Sequence, residues 1–243
     1  MNSNYPLVSV VVTTRNEEFN IANCLESVFE QSYRKENIEV VVVDNASTDK
    51  TKEIAQKYTN KVFDKGPERS AQRNFGAEKA KGKYILYLDA DMTLTENVIA
   101  ESVNTLEKNS EISALFIPEI ISGKSFWNKV RRFERSFYNG AVIDAVRFIR
   151  KDVFLKIGGF DETLTGPEDW DLDKIIRKVG RVGLIKSPLY HNEGEFTLRK
   201  YFRKKAYYAK DFEKYIEKWG KNDKDIKNQF GAYYRFLRVF TEK

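Results

Sequence analysis

Residues 84–91 read Tyr-Ile-Leu-Tyr-Leu-Asp-Ala-Asp. Five apolar side chains run without a polar interruption, and two carboxylates follow, two positions apart. A strand with one wet face would alternate apolar and polar residues. An unbroken run predicts a strand buried on both faces, as in a parallel sheet. Three more runs have the same texture: Leu7–Thr13, Ile38–Asp44 and Ala114–Pro118. Between them, apolar residues fall at helical spacing. In Asn20–Gln31 these are Ile21, Cys24, Leu25, Val28 and Phe29, which makes Cys24 a core residue. Thr51–Tyr58, Ser70–Lys81 and Asn97–Lys108 also read as helices. Strands alternating with helices predict an α/β fold, a three-layer sheet with crossovers.

Ligands of open α/β sheets bind beyond the carboxyl ends of the strands. Each of the first three strands ends in polar residues: Thr13-Thr14-Arg15-Asn16-Glu17, Asp44-Asn45-Ala46-Ser47-Thr48-Asp49, and Asp89-Ala90-Asp91. Any one of these reads equally well as a turn and a helix cap, with Ser47, Thr48 and Asp49 capping the helix from Thr51. Three together predict one shared crevice. Asp89 and Asp91 would repel each other if unpaired, and a divalent cation would relieve that. Mg²⁺ and Mn²⁺ are commonly held by one or two carboxylates plus phosphate oxygens of a substrate.

The chain has 243 residues, 41% hydrophobic and 32% charged, a globular mixture. One cysteine excludes an internal disulfide framework and favours a reducing compartment. No apolar run approaches the roughly 18 residues of a membrane span, and the first residues lack a signal peptide's pattern. The expectation is a cytoplasmic protein, or one peripheral at the inner face of the cell membrane. The net charge of +6 is uneven: residues 196–243 carry +8 and residues 1–195 carry −2. Nucleic acid is therefore not an expected partner, because a nucleic-acid binder would be basic where its ligand sits.

Four segments, VSVVVTTRNEE (8–18), VVVDNASTD (41–49), RNFGAEKAKGKYILYLDAD (73–91) and GGFDETLTGPEDWDL (158–172), resemble in order and spacing the inverting nucleotide-sugar transferases of glycosyltransferase family 2. The likeness covers about residues 6–192. It implies the α/β/α GT-A fold, in which residues 1–118 bind the donor and 119–195 the acceptor. Residues 196–243 would form a helical extension. It also implies a UDP- or GDP-linked sugar donor, a glycan or lipid-linked acceptor, and Mn²⁺ or Mg²⁺. Thr13, Arg15, Asn16 and Glu17 would border the base and ribose, and Asp44 or Asn45 would read the base. Arg69 or Arg73 would contact the nucleotide, although Arg73 reads equally as a helix-surface residue. Asp89 would reach the ribose or metal-bound water, with Ala90 beside it in the nucleotide-sugar site. Asp91 would ligate the metal.

On the acceptor side, Asp169 would be the general base and Glu168 an acceptor contact. Pro167 can start a helix, so both acids also read as first-turn residues of that helix. Trp170 reads as core or as an apolar platform. His191, the single histidine, reads as structural on its own, and the resemblance puts it near the metal. Absence of the Q-x-x-R-W motif and of membrane spans implies single addition rather than polymerisation.

Two other classes compete. A nucleotidyltransferase that makes nucleotide sugars needs a glycine-rich phosphate loop after the first strand, and TTRNEE has no glycine. A non-catalytic module binding membrane or nucleic acid would suit the basic tail but leaves the acidic strand ends unexplained. In the tail, Leu198, Tyr201, Tyr208, Phe212, Tyr215 and Trp219 recur at intervals of 3, 4 or 7 residues, as on one helical stripe. That stripe either packs on the catalytic domain or touches anionic lipid.

Overall fold

The computed structural model describes residues 5–194 and 197–236. A seven-stranded sheet runs in the order β3-β2-β1-β4-β8-β6-β9, formed by Val62–Asp64 (β3), Ile38–Asp44 (β2), Val8–Thr14 (β1), Tyr84–Asp89 (β4), Val146–Arg150 (β8), Ile112–Phe116 (β6) and Arg181–Leu184 (β9). All pairings are parallel except those of β8 with β4 and β6. A second sheet has the order β5-β10-β7, from Met92–Leu94, Leu189–His191 and Glu119–Ile121.

Because side chains alternate along a strand, β1, β2 and β4 feed two cores. Val8, Val10, Val12, Leu86 and Leu88 face helices α1 (Ile21–Phe29) and α4 (Val98–Lys108). Val11, Val41, Val43, Ile85 and Tyr87 face α3 (Arg69–Lys79), α6 (Lys151–Lys156) and α7 (Glu168–Val179). This is the three-layer arrangement the apolar runs predict, and Cys24 is fully buried in the first core. Helix α2 spans Thr51–Ala55.

Two strand assignments change. The fourth run lies two residues earlier than the sequence reading, at 112–116, where β6 is irregular against both neighbours. Strand β8 has no apolar run because its Arg147 and Arg150 are used internally: Arg147 meets Glu119 Oε2 at 3.4 Å, and Arg150 Nε donates to the Ile112 carbonyl at 2.8 Å. Burial pushes the carboxyl of Asp173 in α7 up to about 6, with Arg177 opposing and Asp225 adding to the shift. Its folded pKa lies above its unfolded one. Its contribution to stability is therefore full below about 4 and is lost as pH rises through 6. Relative to Asp173→Asn, wild-type unfolding free energy should fall by up to about 3 kcal/mol across that window in urea titrations. A constant difference would refute the shift.

The C-terminal segment breaks the predicted stripe into α8 (Leu198–Tyr208) and α9 (Phe212–Trp219), separated by a turn at Ala209–Asp211. Asp211 Oδ2 holds that turn by accepting from Thr165 N at 3.0 Å. The side chains of Leu198 and Tyr201 lie outside the described residues. The rest of the stripe turns inward. Phe212 stacks on Trp170 at 5.9 Å, and Trp219 Nε1 donates to Asp171 Oδ1 at 2.7 Å. Tyr215 is fully buried with Leu164 and Ile226, the latter from α10 (Lys224–Phe230). Helix α11 (Ala232–Phe236) adds Tyr234 against Ile143. Tyr215→Ala should lower stability by about 3–5 kcal/mol, the usual cost of a buried aromatic. A loss under about 1 kcal/mol in a denaturant titration would mean the stripe is not packed.

Candidate active site

The carboxyl ends of β1, β2 and β4 open into one cleft of about 280 Å³, whose lining includes Thr13, Arg15, Glu17, Asn45, Arg69, Asp89, Ala90, Asp91 and His191. Backbone strain marks its rim: Asn16 (φ 55°) and Ala46 (φ 52°) are non-glycine residues in the left-handed region. The loop after β1 is tied to the loop after β2. Asn16 N donates to Ser47 Oγ at 2.8 Å, and Thr48 N donates to Asn16 Oδ1 at 2.8 Å. So Ser47 and Thr48 cross-brace the two loops rather than cap α2. Asp49 does meet α2, accepting from Thr51 N at 3.0 Å. Asp44 is fully buried, and both its carboxylate oxygens accept from Ser47, at 2.7 and 2.5 Å. It is absent from the cleft lining, where its neighbour Asn45 stands.

The carboxylates around β4 differ in their partners. Asp89 accepts from Thr13 Oγ1 at 2.9 Å and from Arg73 Nη2 at 3.1 Å. Burial alone would raise its pKa, but the guanidiniums of Arg73, Arg69 and Arg147 override it and hold the carboxyl well below the usual range. Burial and the like charges of Asp91, Asp49 and Asp89 push Glu17 up, against a hydrogen bond from Asn20. Asp91 places Oδ2 at 3.2 Å from His191 Nε2, while its Oδ1 is buried without a hydrogen-bond partner among the described residues.

His191 Nδ1 lies 2.7 Å from Glu119 Oε1, and Glu119 Oε2 accepts from Arg135 at 3.1 Å. Burial would lower the imidazole pKa, yet its bonds to Asp91 and Glu119 push it up to about 10. The unpaired buried carboxylate oxygen of Asp91 is a donor suited to a divalent cation, and the imidazole would add a nitrogen only by giving up its proton as the metal binds. Among the described residues no group of three His, Cys, Asp or Glu side chains converges to hold a metal alone. The remaining coordination would fall to substrate oxygens and water.

Helix α7 ties the acceptor-side acids Glu168 and Asp169 to the cleft through Arg69 and Arg73, although neither acid is in the cleft lining. Arg73, 1% exposed, donates from Nη1 to Asp169 Oδ1 at 2.8 Å while its Nη2 holds Asp89. One buried guanidinium thus spans the donor strand and α7, and Arg73 is no surface residue. Asp169 remains 22% exposed. Its second oxygen accepts no hydrogen bond among the described residues. Glu168 is 2% exposed; Arg69 Nη2 donates to it at 2.9 Å, and the Gly166 amide donates to its other oxygen. Burial and the Asp169 charge raise the Glu168 pKa, with Arg69 opposing. Gly166 has φ +104°, and a Cβ there would sit 2.5 Å from the Tyr208 carbonyl, so this turn needs glycine.

Tyr207, Tyr208 and Gln72 are among the cleft residues that sequence reasoning missed. Tyr207 and Tyr208 of α8 form one wall, with Tyr207 Oη donating to Glu68 and the Arg69 guanidinium 5.3 Å from the Tyr208 ring centre. Gln72 lies beneath, donating to the Val43 and Thr14 carbonyls at 2.6 and 3.1 Å. Gln72 sits one residue before Arg73 and was available as a signal. The tyrosines were hidden in the tail's aromatic pattern.

The strand ends of a mostly parallel α/β sheet thus meet in one carboxylate-rich cleft, the place where open α/β sheets bind their ligands. The model of glycosyl transferase family 2 matches residues 9–161, and the chain belongs to that family. It is 36% identical over 113 residues to the glycosyltransferase AglE of Haloferax volcanii, covering 44% of this chain and 37% of that one. It is 29% identical over 202 residues to the minor teichoic acid biosynthesis protein GgaB of Bacillus subtilis, covering 75% and 22%. The chain thus spans well under half the length of these two curated relatives. Among solved structures, the mannosyltransferase PcManGT of Pyrobaculum calidifontis, in complex with GDP-Man and Mn²⁺, superposes with TM-score 0.66 at 22% identity, covering 88% of this chain and 65% of that one. S. aureus TarS 1–349 with UDP-GlcNAc gives TM-score 0.61 at 21% identity, covering 79% and 60%.

Proposed function

We propose that the chain is an inverting, metal-assisted glycosyltransferase that moves a single sugar from a nucleotide-diphosphate sugar to a hydroxyl acceptor, with Asp169 as general base. The observation that carries this reading is Arg73, whose guanidinium holds Asp89 of the donor strand and Asp169 of α7 together. An inverting displacement needs a base on the acceptor side and charge neutralisation on the diphosphate side. The solved structures with GDP-Man and Mn²⁺, and with UDP-GlcNAc, support a nucleotide-sugar donor of UDP or GDP type.

The residue roles follow. Thr13, Arg15, Asn16 and Glu17 border the base and ribose. Asn45 faces the nucleotide, while Asp44 holds its loop through Ser47. Arg69 is 35% exposed and better placed than buried Arg73 to meet the diphosphate. Asp91 and His191 would hold Mn²⁺ or Mg²⁺, whose charge would offset that of the leaving diphosphate. Asp89 orients Arg73 and faces the ribose beside Ala90. Asp169 takes the acceptor proton on its unpaired oxygen, and Glu168 positions the turn at Gly166. The acceptor class proposed is a glycan or lipid-linked saccharide at the cytoplasmic face of a membrane.

The test uses water as acceptor. The chain, Mn²⁺ and α-linked UDP- or GDP-sugars should release nucleoside diphosphate and free sugar, which NMR coupling constants identify as β before it mutarotates. Release of the α anomer would overturn inversion. Release of sugar 1-phosphate together with nucleoside triphosphate, once pyrophosphate is added, would point to a nucleotidyltransferase.

A further inference from the structure

Helix α5 (Phe126–Arg135) is built inside out. Its inward positions are polar: Asn128 and Arg135 are each 7% exposed. Arg135 donates to Asp144 Oδ1 at 2.6 Å and to Glu119 Oε2 at 3.1 Å. Its outward positions are apolar. Phe126 is 70% exposed, Val130 39% and Phe133 65%. Their spacing of four and then three residues puts them on one stripe, with Trp127, 46% exposed, at its flank. A surface helix of a globular protein normally runs the other way, apolar face inward. Such a patch, rimmed by polar groups, marks a contact surface.

The rim is basic. Lys124 and Lys129 are exposed and form no ion pair among the described residues. The one acid of the helix, Glu134, is already taken by Arg131 at 2.5 Å and by the Tyr138 hydroxyl. Arg132 gives its guanidinium to the Ile121 and Gly123 carbonyls at 2.6 and 2.7 Å and forms no ion pair among the described residues.

We propose that the outward face of α5 docks on an anionic bilayer surface. The pattern is that of an interfacial helix, with Phe and Trp entering the headgroup boundary and lysines meeting lipid phosphates. A second copy of the chain fits poorly, because pairing two such faces brings like-charged rims together. A soluble glycan lying in the cleft fits poorly too, because this face is opposite the one that meets Glu119. The inward face joins the dock to the cleft. From Arg135 the ionic chain passes through Glu119 and His191 to Asp91. A chain held at α5 would keep its cleft at a fixed attitude to the membrane, where a lipid-linked acceptor would lie. That last consequence rests on the transferase reading; the docking itself does not.

The test is co-flotation of the whole chain with phosphatidylglycerol vesicles, without donor or metal, and with phosphatidylcholine as the neutral control. Wild type should float with anionic vesicles at low salt and separate from them at high salt. Phe126→Ser with Phe133→Ser, and separately Lys124→Glu with Lys129→Glu, should each cut the bound fraction roughly tenfold or more. Unchanged melting temperatures would establish that these exposed positions have not disturbed folding. Lys210→Glu with Lys214→Glu, in the basic tail, should float like wild type. The proposal is overturned if wild type ignores anionic vesicles at low salt, or if the α5 variants float normally. It is also overturned if only the tail variant loses binding. A wild-type dimer that the Phe126→Ser/Phe133→Ser variant turns into monomer would assign the face to a second copy instead.

Discussion

Asp169→Asn should lower kcat by roughly 10²–10⁴-fold, the scale of a lost general base, while donor affinity changes little. The substitution keeps shape and can still accept the Arg73 hydrogen bond, so what it removes is the proton acceptor. Single-turnover transfer, with donor affinity measured separately, reads the two effects apart. Asp169 also lies in the first turn of α7, where an acid facing the helix dipole contributes about 0.3–1 kcal/mol. If transfer is near normal and only melting temperature falls, Asp169 is a helix-terminus acid and the proposed base is wrong. Arg73→Lys sharpens the test. A lysine cannot fork between Asp89 and Asp169 as a guanidinium does. It should lower kcat more than it raises KM, since it loosens the base without removing donor contacts.

Asp91→Asn should weaken binding of UDP or GDP in Mn²⁺ by at least about 10–100-fold, the range seen when even outer partners of a metal site are lost. In EDTA, wild type and variant should bind nucleotide alike. The structural ground is the buried Oδ1 of Asp91, which lacks a hydrogen-bond partner among the described residues. Leaving such an atom unpaired costs about 1–3 kcal/mol, so a cation there would repair a standing defect. Melting temperature gives a second readout independent of turnover. Metal and nucleotide at about 100 times their Kd should add roughly 2.7 kcal/mol to wild type and far less to the variant. Equal wild-type affinity with and without metal would sink the metal bridge.

The ends of β1, β2 and β4 were legible because each is an apolar run closed by polar residues, and both signals are local. His191 was ambiguous as a lone histidine. Its significance lies in Glu119 and Asp91, which are 72 and 100 residues away in sequence. The tail was misread as one stripe because Tyr208 and Phe212 keep helical spacing across the turn at Ala209–Asp211. Spacing does not register a turn that is held from outside by a bond to Thr165. The face of α5 went unread for a related reason: FWNKVRRFER looks amphipathic in sequence, and periodicity does not say which face turns inward.

By itself the sequence determined the layered α/β fold, the family likeness and the acidic strand ends. Each rests on residues within one strand or turn, where hydrophobic burial and side-chain alternation act over a few positions. Only the tertiary structure decided which partners those acids keep. It put Arg73 between Asp89 and Asp169, sent Asp44 to Ser47, and turned Tyr207 and Tyr208 into a wall of the cleft. Ion pairing depends on distance in space, and a sequence separation of 96 between Arg73 and Asp169 carries no local trace of it.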